Sequence, residues 1–270
     1  STQTAKIIHR QLADKDSPIV PFIAETGGMN AMVADSSALT EQLVADVITS
    51  AFGAAGQRCS ALRVLLVQDD VADKTIDMLV GAMQMLTVGD PKLLVTDVGP
   101  VIDQQALDLL EEHEQYLASR ATCLYKLPVS KALEGTFCSP QAHELSDLSL
   151  LTKEVFGPIL HVFRYKRKQL KQVIEQVNAW GYGLTFGVHS RINSTIDEVT
   201  EQIHAGNVYV NRNTVGAVVG LQPFGGCGLS GTGPKAGGPH YLLRLCQERV
   251  VCTDTTATGG NATLMALGDD

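Results

Sequence analysis

Short apolar segments alternate along this chain with longer amphipathic ones, and this alternation limits the possible folds more than any other feature. Runs such as 64–67 (VLLV) have the length and continuous hydrophobicity of strands buried on both faces of a sheet. Segments such as 38–52 instead repeat their apolar residues at helical spacing. Strands that alternate with helices predict an α/β fold with a mostly parallel sheet.

The predicted elements cover most of the chain. Helices are predicted from a cap at Ser1 or Thr2 and over 38–52, 71–85, 103–119, 168–178 and 195–204. Strands are predicted at 18–24, 31–33, 64–67, 122–127, 135–139, 159–163, 186–188 and 208–210. A glycine-rich stretch follows Asn211, and 249–255 with 264–267 predict a hairpin-like β tail.

Length and charge exclude several classes of protein. The 270 residues suffice for a full hydrophobic core, and 44% hydrophobic with 19% charged residues is globular rather than disordered. A net charge of −8 without a basic block disfavours nucleic acid as a partner. No apolar run reaches the roughly 18 residues of a membrane span, and we expect a cytoplasmic protein that acts on a small molecule.

Six cysteines are spaced widely and irregularly, without C-x-x-C or a histidine pair at ligand spacing. This pattern predicts neither zinc nor any other metal site, and a chain of this size needs no disulfide framework. The five cysteines other than Cys59 are expected to be buried, reduced thiols.

Two residues are candidates for chemistry. Cys59 follows a helix and the small-residue turn 53–56, whose backbone N–H groups can stabilise a thiolate and an oxyanion. Glu25 follows the predicted strand 18–24, where a carboxylate can act as general base towards water. Taken singly, these signals are weak, because a cysteine in an apolar setting is more often a core residue and Glu25 also fits a helix cap.

Four motifs that follow one another along the chain favour a catalytic role over a structural one for Cys59 and Glu25. They are Glu25-Thr26-Gly27-Gly28, Gly56-Gln57-Arg58-Cys59, Glu154-Val155-Phe156-Gly157-Pro158 and Pro223-Phe224-Gly225-Gly226. Over nearly its whole length the chain resembles the aldehyde dehydrogenase superfamily. Residues 211–240 are similar to the Δ1-pyrroline-5-carboxylate (L-glutamate γ-semialdehyde) dehydrogenases, in particular to those within bifunctional proline utilization A proteins. Residues 255–262 also resemble the C-terminus of those proteins.

The resemblance implies a role for each matching residue. Cys59 is the expected nucleophile, which forms a thiohemiacetal and then a thioester, and Glu25 the base that activates water. The expected NAD contacts are Glu154, Phe156, Ser1 and Gly27. The expected substrate contacts are Ser60, Gly216, Ala217 and Phe224. The implied reaction is NAD-dependent oxidation of L-glutamate γ-semialdehyde to L-glutamate in proline catabolism.

The resemblance also implies a domain organisation. Residues 1–26 are expected to be a residual part of a Rossmann-type NAD-binding domain, 27–246 the catalytic domain, and 247–270 a β tail for homo-oligomerisation. By family length the chain is expected to lack an N-terminal portion and to be weak or inactive alone. FAD is expected only in a proline dehydrogenase module, of which this chain shows nothing.

Two other readings remain open at this point. One is an aldehyde-dehydrogenase-like domain that serves only in assembly, although such a domain has no need of both Glu25 and Cys59. The other is a cysteine hydrolase, which normally uses a histidine base. The choice between NAD and NADP is open as well.

Overall fold

The computed structural model describes residues 1–130, 132–254, 263 and 266. Within them lie the helices α1 (Thr2–Asp14), α2 (Thr40–Phe52), α3 (Asp69–Gln84), α4 (Gln104–Leu117), α5 (Leu170–Ala179), α6 (Asn193–Gln202) and α7 (Tyr241–Arg244). The strands are β1 (Asn30–Ala34), β2 (Leu62–Gln68), β3 (Ala121–Lys126), β4 (Gln141–Leu145), β5 (Ile159–Tyr165), β6 (Tyr182–Gly183), β7 (Thr185–His189), β8 (Asn207–Val210) and β9 (Cys227–Gly228).

Seven strands form one sheet in the order β3-β4-β5-β2-β1-β7-β8. Every neighbouring pair is parallel except β3 with β4, which is antiparallel. A separate two-stranded antiparallel sheet joins β6 to β9. The predicted α/β class with a mostly parallel sheet is therefore confirmed.

The central strands form the core, as their sequences predict. All residues of β1 and β2 are buried, because helices of a crossover fold cover both faces of such strands. Helix α2 buries Leu43, Val44 and Val47 on one face and packs against α3. Its apolar spacing thus faces the core, which confirms the helix predicted at 38–52.

The strand predicted at 18–24 is wrong. These residues have no regular secondary structure, and Ile19 is 99% exposed. Pro18 and Pro21 lack the N–H groups that a sheet ladder needs. The segment forms no strand, although the backbone of Ala24 at its end bonds with Thr232, so Glu25 does not follow a buried strand.

The strand predicted at 135–139 is also wrong, and β4 lies at Gln141–Leu145 instead. Gln141, His143 and Glu144 gave this segment the composition of a loop. In the structure the Oε1 of Gln141 accepts a hydrogen bond from the Nε2 of His143 at 2.7 Å, and its Nε2 donates to the carbonyl oxygen of Ser139. A buried polar strand of this kind has no apolar pattern to reveal it.

The β tail predicted at 249–255 and 264–267 lies only partly within the described residues. Residues 249–254 have no regular secondary structure, which contradicts a strand there, and most of the remaining tail, including 264–265, lies outside the described residues. The boundaries at residues 26 and 246 stay predictions.

The predicted burial of the cysteines is wrong in four of five cases. Cys138 is buried, whereas the side chains of Cys123, Cys227, Cys246 and Cys252 are exposed. Cys123 lies on β3, an edge strand of the sheet, and Cys246 and Cys252 follow α7, which buries none of its residues.

Candidate active site

The candidate catalytic residues meet at one edge of the large sheet. Glu25 precedes β1, Cys59 precedes β2 and Glu154 precedes β5. These three strands are adjacent and parallel, so their amino ends share an edge. Both carboxylates act electrostatically on the thiol of Cys59. Glu25 therefore belongs to the amino edge of the sheet, not to the end of a preceding strand as its sequence context predicted.

The chain reaches Cys59 through a turn with strained backbone. Ala54 and Ala55 adopt φ values of 54° and 53°, and Gly56 follows at 65°. Left-handed conformations of this kind cost on the order of 1–3 kcal/mol in non-glycine residues. At Gly56 an added Cβ would lie 2.2 Å from the carbonyl oxygen of Gly157. Glycine is required here because two turns touch through their backbones.

The environment of Cys59 favours the neutral thiol. Partial burial raises its pKa, and the charges of Glu154 and Glu25 raise it further. The backbone N–H groups of Ser60 and Cys59 act in the opposite direction and lower it. These are the donors expected of a turn that stabilises a thiolate.

Asn30, at the start of β1, fixes the turn that carries Cys59. Its Nδ2 donates to the carbonyl oxygens of Cys59 at 2.7 Å and Ala61 at 2.9 Å. Its Oδ1 accepts from the N–H of Thr185 at 3.1 Å. Sequence reasoning missed this residue, because an asparagine at a strand end carries no motif of its own.

Glu154 is held by a buried arginine that sequence reasoning also missed. The Nη2 of Arg63 lies 3.2 Å from the Oε1 of Glu154, and the Arg63 side chain is 2% exposed. Burial raises the pKa of Glu154, while the charge of Arg63 and the N–H of Gly28 lower it. The carboxylate packs directly against the Cα of Gly27.

Two further predicted cofactor contacts lie around Glu154. The ring of Phe156 is partly exposed and carries the guanidinium of Arg63 at 5.1 Å from its centre. Ser1 caps α1 by accepting from the N–H of Thr4, and its backbone nitrogen lies near Glu154. The structure thus brings Ser1, Phe156 and Glu154 to one region.

The predicted substrate contacts divide between two segments. Ser60 is buried next to Cys59, and its carbonyl oxygen accepts from the hydroxyl of Thr214 at 3.0 Å. This bond anchors the loop that continues to Gly216, which is exposed with a φ of 73°, and to the half-buried Ala217. Phe224 is half-buried in a separate segment that pairs antiparallel with Ala236.

The part of the chain that the structure describes holds neither a metal site nor a membrane-spanning helix. There, no group of three or more His, Cys, Asp or Glu side chains has the arrangement of a metal site. No helix among these residues has the length and hydropathy of a membrane span.

The family model of the aldehyde dehydrogenases matches residues 1–251. The chain belongs to the aldehyde dehydrogenase family. This confirms the resemblance carried by the four motifs. The bifunctional protein PutA of Escherichia coli is 56% identical over an alignment of 258 residues, which covers 92% of this chain and 20% of that protein. The chain thus spans about a fifth of that relative.

Two solved structures extend the comparison. A crystal structure of a Bradyrhizobium japonicum proline utilization A mutant superposes with a TM-score of 0.91 at 54% identity, covering 96% of this chain and 26% of that one. A 1-pyrroline-5-carboxylate dehydrogenase from Thermus with bound NAD gives a TM-score of 0.84 at 29% identity, covering 91% and 48%. The aldehyde dehydrogenase fold is confirmed.

Proposed function

We propose that this site oxidises L-glutamate γ-semialdehyde, the open form of Δ1-pyrroline-5-carboxylate, to L-glutamate with NAD as the oxidant. The observation that carries the proposal is the convergence of Cys59, Glu25 and Glu154 at one sheet edge. Relatives named as PutA and as 1-pyrroline-5-carboxylate dehydrogenase supply the substrate class.

The covalent steps would take place on Cys59. Its thiolate adds to the aldehyde carbon and forms a thiohemiacetal, whose oxyanion is close to the N–H groups of Cys59 and Ser60. Loss of a hydride from this carbon re-forms the carbonyl and turns the thiohemiacetal into a thioester, and NAD, when bound, would supply the hydride acceptor. Glu25 then removes a proton from water, which attacks the thioester carbon and releases the carboxylic acid and the thiolate.

The residues present fit a nicotinamide cofactor. Glu154 keeps part of its carboxylate exposed after pairing with Arg63, which suits hydrogen bonds to ribose hydroxyls. The exposed face of Phe156 offers an apolar wall. Gly27 leaves room for the Glu154 carboxylate, and Ser1 lies at the amino end of α1, where anions are favoured.

The substrate's α-carboxylate is assigned to Ser60 and to the backbone of Gly216 and Ala217. The hydrogen bond from Thr214 to Ser60 supports this assignment because it holds the glycine-rich loop against the nucleophile turn. Phe224 is assigned to the aliphatic part of the substrate. We further propose a reducing, cytoplasmic setting, in keeping with six unpaired cysteines, and self-association through the tail 247–270.

The test replaces the nucleophile in the intact protein. Cys59→Ala is expected to abolish aldehyde-dependent NADH formation while NAD binding, followed by calorimetry, is retained. Cys227→Ala, at another exposed cysteine, is the matched control and keeps its activity. NADH formation by Cys59→Ala would refute the nucleophile assignment.

The two other readings predict different results. A domain that serves only in assembly would form no NADH in the unmodified protein and would show no preferential labelling of Cys59 by thiol reagents. A cysteine hydrolase would cleave activated esters as its main activity and would need a histidine base. Among the described residues, the charges that raise the pKa of the thiol come from carboxylates, and no imidazole is among the groups that act on it, which favours the dehydrogenase.

A further inference from the structure

One buried cation beside the candidate site has no part in the steps above. Arg63 lies within β2, in a run that is otherwise almost wholly apolar, and is 2% exposed. Burying a guanidinium is costly, and a buried ion pair is often no more stabilising than well-packed apolar residues. Its Nε is buried without a hydrogen-bond partner. Stability alone therefore gives little reason for an arginine here.

The contacts of Arg63 join two turns. Its Nη1 donates to the carbonyl oxygens of Gly56 at 2.6 Å and Gly157 at 3.3 Å. Its Nη2 donates to the carbonyl oxygen of Arg58 at 3.2 Å and to Glu154 at 3.2 Å. Two of these acceptors precede the nucleophile, and two belong to the turn of the predicted cofactor contacts. One rigid, planar fork thus fixes both turns in a single arrangement.

The charge of Arg63 also reaches the nucleophile. Burial lowers the pKa of Arg63, whereas the charges of Glu154 and of the Cys59 thiolate raise it. The guanidinium bonds to the carbonyl oxygen of Arg58, the residue before Cys59, and because the interaction of two charges is mutual, the cation stabilises the thiolate in return. It opposes the two carboxylates that favour the neutral thiol.

We propose that Arg63 is a positioning residue that holds Glu154 and the Cys59 turn together and supplies the positive charge that favours the Cys59 thiolate. The part that concerns Glu154 rests on the proposed function, since Glu154 is there a cofactor contact. The part that concerns the thiolate is independent of it.

Other titratable groups face this pair and must be separated from Arg63 in any test. Glu154 and Glu25 act on the thiol, and the thiolate in turn acts on the phenol of Tyr209. On the other side, the Nδ1 of His161 lies 2.9 Å from the carbonyl oxygen of Arg63. That contact is made to the backbone, so replacing the arginine side chain leaves its acceptor in place.

The experiment measures, as a function of pH, the rate at which iodoacetamide alkylates Cys59 in the intact protein. After digestion, the modified fraction is read from the peptide that contains Cys59. Arg63→Met removes both the positive charge and the hydrogen bonds of the guanidinium, whereas Arg63→Lys keeps the positive charge but not the planar set of donors. Arg164→Met is the matched control, because Arg164 also pairs with carboxylates, Asp73 and Glu144, but on the surface. Circular dichroism verifies folding.

We expect Arg63→Met to raise the thiol pKa and so to slow alkylation at neutral pH about tenfold. Arg63→Lys and Arg164→Met are expected to stay within about twofold of the unmodified protein. A folded Arg63→Met protein with an unchanged pH profile overturns the proposal, as does an Arg63→Lys protein that is slowed about tenfold. If Arg63 had only a structural role, the pH profile of alkylation would not depend on whether the residue at position 63 carries a positive charge.

A second measurement covers the case in which Arg63→Met does not fold. Arg63→Lys is then expected to combine unchanged alkylation with a KM for NAD that rises about tenfold, because a single ammonium cannot serve acceptors on both turns. An unchanged KM would overturn the positioning role. Absence of dehydrogenase activity would count against the proposed function. It would not affect the test of the thiolate, because alkylation requires neither NAD nor aldehyde.

Discussion

The carboxylate of Glu154 occupies the space that a side chain at Gly27 would need, since a Cβ built there lies 1.8 Å from Oε2. Gly27 belongs to the first of the four motifs and Glu154 to the third, more than a hundred residues later. The two motifs are therefore in direct contact at the site, and the absence of a side chain at Gly27 leaves the space that the Glu154 carboxylate occupies.

Gly27→Ala tests this contact. The methyl group must displace Glu154, which carries the proposed ribose contact, so KM for NAD is expected to rise about tenfold with a smaller change in kcat. Gly81→Ala is the control, because a Cβ at Gly81, in α3, meets nothing within 4 Å. That change should stabilise the protein by about 1 kcal/mol. Equal KM values for the two variants would contradict the prediction.

Gly56→Ala addresses the touching backbones of the two turns. The added Cβ would meet the carbonyl of Gly157 and also sit at positive φ, so we expect a loss of about 3 kcal/mol or more in the free energy of unfolding. Gly220→Ala shares the positive φ, 83°, but has open space around it, and should cost about 1–2 kcal/mol. Urea denaturation distinguishes the two, and equal losses would show that the contact is unimportant.

Glu25→Gln separates reactivity from turnover. The Glu25 carboxylate is one cause of the raised pKa of Cys59, so its neutralisation should lower that pKa and speed alkylation near pH 7. Aldehyde oxidation should nevertheless fall by about 10²–10⁴, because the general base is gone. Glu144→Gln, at a surface ion pair, is the control for both measurements. A variant that alkylates more slowly would contradict the electrostatic assignment.

The sequence predicted what local patterns encode. Apolar runs and helical spacing gave the central strands and the long helices, and the motifs gave Cys59 and Glu154. The segment at 18–24 misled because its apolar composition outweighed two prolines, which deprive a strand of donors. β4 was missed because its polar residues are paired with one another inside the fold.

Arg63 and Asn30 show why part of the site was out of reach. Arg63 interrupts an apolar strand, and its partner Glu154 lies 91 residues away, so no local pattern connects them. Asn30 stabilises the Cys59 turn through its amide, which leaves no periodic signal. Such residues are recognised only when distant turns are seen side by side.

A pair of histidines, His113 on α4 and the buried His161 on β5, gives a prediction for acid stability. The Nε2 atoms of His113 and His161 lie 2.9 Å apart. Burial lowers the pKa of His113 to about 4, helped by the charges of His143 and Lys153. Burial likewise lowers that of His161 to about 3, helped by His113. Both rings therefore remain neutral in the folded protein well below their ordinary value of 6.5.

The sign of the pH effect follows from these depressed values. Below pH 6.5 the unfolded chain binds protons that the folded one does not, so stability is full above pH 6.5 and falls as the pH drops towards 4. Each ring contributes a slope of about 1.4 kcal/mol per pH unit. His113→Gln removes one titrating ring but keeps a donor for His161, and should reduce the slope by that amount. Chemical denaturation between pH 4 and 6.5 measures it, with His204→Gln on the surface as control. An unchanged slope in His113→Gln would mean that this ring already takes up its proton in the folded protein.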